Sequence, residues 1–205
     1  NTTASNNMIA IGSSALRNIT SGSDSIAIGY QALYTGTALT QQLAIGNQAG
    51  YSTTGSDNVW IGHQCGQNNT SGNSNVAIGH RAMITQTTGT QNTAMGINAL
   101  GDNTTGSSNT AIGAKALDKN TTASSNTAVG KESLRDCTTG QNNTSVGEES
   151  SLNMTTGDQN VAVGSGALMS CTTGNQNTCV GGGEQGQNNA AGQAITTGGN
   201  NTLIG

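Results

Sequence analysis

Asn109-Thr110-Ala111-Ile112-Gly113-Ala114-Lys115-Ala116-Leu117 decides the fold, because variants of this stretch recur along the chain at a nearly fixed interval. The glycine after its aliphatic residue is the anchor, found as Gly12, Gly29, Gly46, Gly62, Gly79, Gly96, Gly113, Gly130, Gly147, Gly164, Gly181 and Gly205. Nine of the eleven intervals are 17 residues, one is 16 and the last is 24. A short period held over a whole chain is the signature of a solenoid, in which each coil packs on its neighbours only. Function is then to be sought along the surface of a rod.

With the anchor glycine as position 0, each column of the repeat has a physical reason. Position −1 carries Ile11, Ile28, Ile45, Ile61, Ile78, Met95, Ile112 and then Val or Ile to the end, so that eleven of twelve are β-branched, as suits a strand. Position −3 lies on the same strand face and carries Ile, Leu, Val or Thr. These two columns are expected to face the core. Asn fills position −4 at Asn58, Asn75, Asn92, Asn109, Asn126, Asn143, Asn160, Asn177 and Asn201. Stacked about 4.8 Å apart, such amides form a hydrogen-bonded ladder that pins the register of the coils. The loop glycines at +10, such as Gly72, Gly89 and Gly106, are expected to adopt positive φ, with Ala123 as the exception in that column.

Position −2 is Ala in eight coils, among them Ala94, Ala111 and Ala128. If −1 and −3 point inward, this small apolar ladder lies outside and is expected to be the face on which neighbouring chains pack. Replacing Ile112 by Asp should then disrupt adjacent coils, whereas changing Lys115 should be nearly silent.

Composition excludes several function classes. The chain has no Pro, no Phe, 31 Gly and only 8% charged residues, so its apolar material must be spread as thin ladders rather than gathered into one centre. A net charge of −4 with no basic stripe argues against nucleic acid. No apolar run is long enough to enter and span a bilayer. The opening Asn1-Thr2-Thr3-Ala4-Ser5 repeats Asn120-Thr121-Thr122-Ala123-Ser124, so residues 1–205 read as one repeat array and a window of a longer fibre. Coils 30–46 and 182–205 are irregular, and each is expected to carry a surface bump.

The motif quoted above, with Asn126-Thr127-Ala128-Val129-Gly130, resembles the Ala-Ile-Gly repeats in the head domains of trimeric autotransporter adhesins. It resembles still more the Asn-Thr-Ala-Ile-Gly, Ala-Leu, Asn-Thr-Thr-Gly arrays of phage and viral tail fibres. The resemblance covers nearly the whole chain. It implies an all-β, parallel β-solenoid of left-handed β-roll type, a side-by-side homotrimer, and a stalk or adhesive shaft that is extracellular or on a virion surface. The 17-residue pitch is longer than the usual adhesin-head repeat and favours the fibre array.

No set of residues reads as an enzyme, cofactor or metal site. His63 and His80 share position +1 without a carboxylate or Cys in the column. Glu132, Glu148 and Glu149 lack the oxygen-rich loop a calcium ion needs. Cys65 and Cys179 replace small apolar residues, and Cys137 and Cys171 lie two coils apart, roughly 9.6 Å, too far for a disulfide. Asn-X-Thr/Ser sequons occur at ten positions, from Asn1 to Asn200, most as by-products of the Asn-Thr-Thr-Gly turn. Tyr30, Tyr34, Tyr51 and Trp60 gather in the first third and are candidate anchors for a host-surface glycan or protein receptor, with Trp60 also readable as local packing. The rival class is a solenoid that binds ice or a carbohydrate surface through its Thr-Thr columns. In that reading adjacent Thr residues point to opposite faces, so only one of each pair serves.

Overall fold

The computed structural model describes residues 4–183 and 189–205, with the backbone only for residues 4–6. The middle of the insertion in the last irregular coil, residues 184–188, and the sequon at Asn1 lie outside the described residues. Among the described residues the chain forms fifteen three-residue strands and no helix. They run β1 (Ala4–Asn6), β2 (Ile9–Ile11), β3 (Ser21–Ser23), β4 (Ile26–Ile28), β5 (Ala38–Thr40), β6 (Leu43–Ile45), β7 (Val59–Ile61), and on at one per coil to β15 (Thr202–Ile204). The strands that precede the anchor glycines form one parallel sheet of 12 in chain order, and β1, β3 and β5 form a second, three-stranded parallel sheet. Each residue pairs with its equivalent one repeat away, so Ala111 lies between Ala94 and Ala128. The fold is a parallel β-solenoid.

The facing of the strand is the reverse of the expectation. Ala27, Ala44, Ala77, Ala94, Ala111, Ala128 and Ala162, all at −2, are fully buried. The −1 column faces outward instead, with Ile112 at 38% and Met95 at 41% exposure. The reason is the width of the coil. Opposite each strand, the turn bearing Ala at +3 and Leu at +4 is also buried, as Ala99, Leu100, Ala116 and Leu117 show, and Leu fills the space between the two walls. Only a methyl fits across from it. Wide β-branched side chains go to the outer face, where nothing limits their size.

Trp60 is the exception that shows the limit. It occupies −2 and is fully buried, although the column otherwise admits Ala, Ser or Cys over most of its length. Room comes from the two adjoining +4 positions, where Gly50 and Gly66 stand in place of Leu. A Cβ on Gly50 would lie 2.5 Å from Trp60 Cδ1, and one on Gly66 would overlap the indole. One indole thus replaces two Leu side chains. The irregular coil at 30–46 makes a similar exchange rather than a surface bump. Leu39 turns into the core at +10, fully buried, and Gly36 at +7 leaves the space it fills, since a Cβ there would lie 2.5 Å from Leu39 Cδ2.

Each Asn of the −4 column from Asn58 to Asn177 is buried and bridges two coils, and Asn201 is half-buried. The Asn75 backbone N–H donates to Asn58 Oδ1 at 2.9 Å, and Asn58 Nδ2 donates to the Gly72 carbonyl at 2.9 Å. The same backbone link joins Asn92, Asn109, Asn126, Asn143, Asn160, Asn177 and Asn201, each to the Asn before it. Gln42 takes the role one coil earlier, donating to the Gly55 carbonyl at 2.7 Å. A second buried polar column, not foreseen from the repeat, runs at +7 through Thr53, Asn69, Gln86, Asn103 and Asn120 and closes the turn from inside. Gly72, Gly89 and Gly106 at +10 do not take positive φ, contrary to expectation, whereas Gly22 does, at 136°. What most of this column requires is closeness: a Cβ at Gly89 or Gly106 would run into the carbonyl of the next coil.

Trp60→Ala is expected to lower stability by about 3–5 kcal/mol through the cavity it opens. Adding Gly50→Leu and Gly66→Leu, which restore the common residues of the repeat, should recover most of that loss in a denaturant titration. Gly66→Leu alone should destabilise; additive effects of the three changes would contradict the packing described.

Candidate interaction surface

The strand geometry exports two rows of side chains, −1 and −3, to one flat face. Along its whole length this face bears no charged residue. Exposure is greatest in the two end coils of the large sheet, at Ile204, 80%, and at Ile11, 57%, and Ile9, 49%. Strand spacing of about 4.8 Å over twelve strands, three residues wide, gives a strip roughly 55 Å by 10 Å. Uncharged strips of this size rarely face water on an isolated molecule.

The turn on the other side of the anchor glycine carries the polar chemistry. Position +1 presents Tyr30, 48% exposed, then Asn47, His63 and His80 in succession. The two imidazoles stack face to face with centroids 5.2 Å apart, which turns their ring nitrogens away from a shared point. Among the described residues no three metal-ligating side chains come together. Tyr34 and Tyr51 at +5 stack at 5.0 Å, and the Arg17 guanidinium covers Tyr34 from the other side at 6.0 Å. Tyr34 therefore keeps no open ring face for a sugar. Of the four aromatics expected as surface anchors, Trp60 is interior, Tyr34 and Tyr51 are half-buried, and Tyr30 alone stands well clear of the surface.

Farther along the same columns the residues change to charges. Lys131 pairs with Glu148 at 3.0 Å, and Arg135 contacts Glu132 and Asp136, each at 2.9 Å. The hydrogen bond from Arg135 holds the Asp136 carboxyl below its ordinary range. Burial, followed by the nearby Asp102, pushes Asp118 upward. Signs alternate and the pairs lie near the surface, where solvent screens them and they add little to stability. They fit a solvated mosaic.

The Thr columns are unequal. At +8 the hydroxyls of Thr70, Thr87, Thr104, Thr121, Thr138 and Thr155 donate to the +8 carbonyl of the next coil. At +9 Thr88, Thr105, Thr122, Thr139, Thr156 and Thr173 are exposed. One open Thr row remains. Among the sequons, Asn69, Asn103, Asn120 and Asn143 are buried by the ladders, while Asn18, Asn68, Asn142 and Asn200 are exposed. A cavity of about 390 Å³ near the last coil is lined by Ser170, Ala190, Gln193, Ala194, Ile195 and Leu203, with no charged group. No helix of the described residues is long and apolar enough to cross a membrane.

Comparison with protein-family models, with curated proteins and with solved structures finds no match to this chain.

The four cysteines are free and buried. Burial pushes the Cys65 and Cys137 thiols up to about 12 and raises Cys171 and Cys179 as well. Because only the thiolate reacts, all four should resist a thiol-labelling reagent at about pH 8 in the native protein and react once it is unfolded. Rapid native labelling at Cys137 would contradict the placement of the +7 column.

Proposed function

We propose that this chain is a structural, non-enzymatic segment of a fibre: a rigid stalk or adhesive shaft of the tail-fibre or trimeric-adhesin kind, displayed outside a cell or on a virion. Its coils wind left-handed and three copies lie side by side, as the resemblance of the repeats implies. The observation that carries the reading is the uncharged face of −1 and −3 residues, which runs the length of the large sheet and calls for a partner of the same length. The contact between chains is thus assigned to −1 and −3, and not to the buried Ala column. Attachment to a host glycan or protein receptor, as a further role of this segment, centres on the neutral surface around Tyr30, the one well-exposed aromatic of the four.

The rival reading, a solenoid that binds ice or a carbohydrate surface, has less support. The +8 hydroxyls are engaged by the neighbouring coil, which leaves a single Thr row where a flat binding plane needs at least two.

The mass of the protein in solution, by light scattering, tests the fibre reading. Three copies are expected, and a stable monomer across the accessible concentration range would overturn it. Ile112→Asp, placed on the outer face, should keep the secondary-structure signal and lower the mass toward that of one chain. A variant that remains fully assembled would contradict the assignment of the contact to this face.

A further inference from the structure

The outer face is graded along the rod. In the five coils ending at Gly79, position −3 carries Ile9, Ile26, Leu43, Val59 and Val76, each beside an Ile at −1. From Gly96 onward −3 is Thr in every coil but that of Val161, and −1 shortens to Val in four coils running from Val129 to Val180. Both halves form the same sheet with the same register, so backbone pairing does not require this change. Thr keeps the β-branched shape that suits a strand while exchanging a methyl for a hydroxyl, which removes apolar area without altering the fit. The grading therefore bears on what lies against the face.

We propose that the first five coils are the adhesive zone through which copies of this chain hold together, and that the Thr-bearing coils align against each other while adding little affinity. This rests on the self-association reading above. A second copy is the occupant because the rows of side chains repeat at strand spacing over roughly 55 Å, and only a partner with the same repeat keeps its ridges in step over that distance. The strip is, with the relief of its side chains, on the order of the ~800 Å² per partner that a stable interface uses. Its freedom from charge removes the cost of desolvating ions when two such faces meet. Grading also sets direction. Parallel copies set the five apolar coils against each other, whereas antiparallel copies would set them against the last five coils, where −3 is Thr in all but one.

Two sets of outer-face changes separate the halves: Ile28→Thr, Ile45→Thr and Ile61→Thr together, and Ile112→Thr, Val146→Thr and Val163→Thr together. Each keeps β-branched residues on the strands. Dissociation constants come from sedimentation over a dilution series, with circular dichroism recording the fold. The first set is expected to raise the constant by about a hundredfold or more, and the second by less than about tenfold. Equal losses, or a greater loss from the second set, overturn the adhesive zone while leaving self-association standing. A wild-type protein that is monomeric at every concentration sinks the self-association reading itself, and the zone with it. Should the first set unfold, Ile45→Thr alone is the substitute; it is expected to weaken association several-fold more than Val146→Thr, and an equal effect of the two overturns the proposal.

Discussion

Among the described residues, those of the regular coils rest on their own equivalents one coil away, and at the anchors this contact is glycine on glycine. A Cβ on Gly79 would lie 2.5 Å from the Gly96 carbonyl oxygen, and its φ of 138° is one that side chains rarely adopt. The same holds from anchor to anchor, so the coils can stack at strand spacing only where a glycine turns the chain out of the sheet. Three further positions per coil are held in the left-handed region, as at Lys115, Leu117 and Ser125. Each such residue costs roughly 1–2 kcal/mol in isolation. A single coil would not keep this shape. The stack imposes it through a backbone hydrogen bond from each of these residues to an adjoining coil: Leu117 to Ser133, Lys115 to Ile97 and Ser125 to Ser107.

Stacking also explains why polar residues fill so much of the interior. Asn at −4 and at +7 supplies the donors and acceptors that a three-residue strand leaves unmet at its corners. Where the pattern of amides stops at +7, Cys137, Met154 and Cys171 continue the column with side chains of similar reach, and Cys137 still approaches the Gly140 carbonyl at 3.3 Å. The core is therefore a bundle of parallel ladders, each with its own chemistry, and a substitution is judged against the residues above and below it more than against its sequence neighbours.

Period, strand position and the −4 amide ladder were legible in the sequence because each recurs in nearly every coil. The direction of the strand faces was not. Alternation says that −2 opposes −1 and −3, but it does not say which side is inside, and the globular pattern of larger apolar residues inward points the wrong way here. The coil is too narrow for that rule. A signal was present in Trp60, since the bulky residue at −2 coincides with glycines at the +4 positions of its own and the preceding coil, a compensation that makes sense only if −2 and +4 share one interior. The +7 ladder was hidden because its residues vary in type from coil to coil. The surface was less legible still: nothing in Tyr34 and Tyr51 says that their rings stack on one another instead of facing outward.

The central claim is that −2 points into a core only one methyl wide while −3 faces out. Thermal unfolding of Ala111→Leu and Thr110→Leu, measured side by side, tests it most directly, because the two sites are adjacent in one strand and receive the same side chain. Overpacking should destabilise Ala111→Leu by about 1–3 kcal/mol or more, with Thr110→Leu close to the parent protein. A stable Ala111→Leu beside an unfolded Thr110→Leu would turn the strand over and contradict the account.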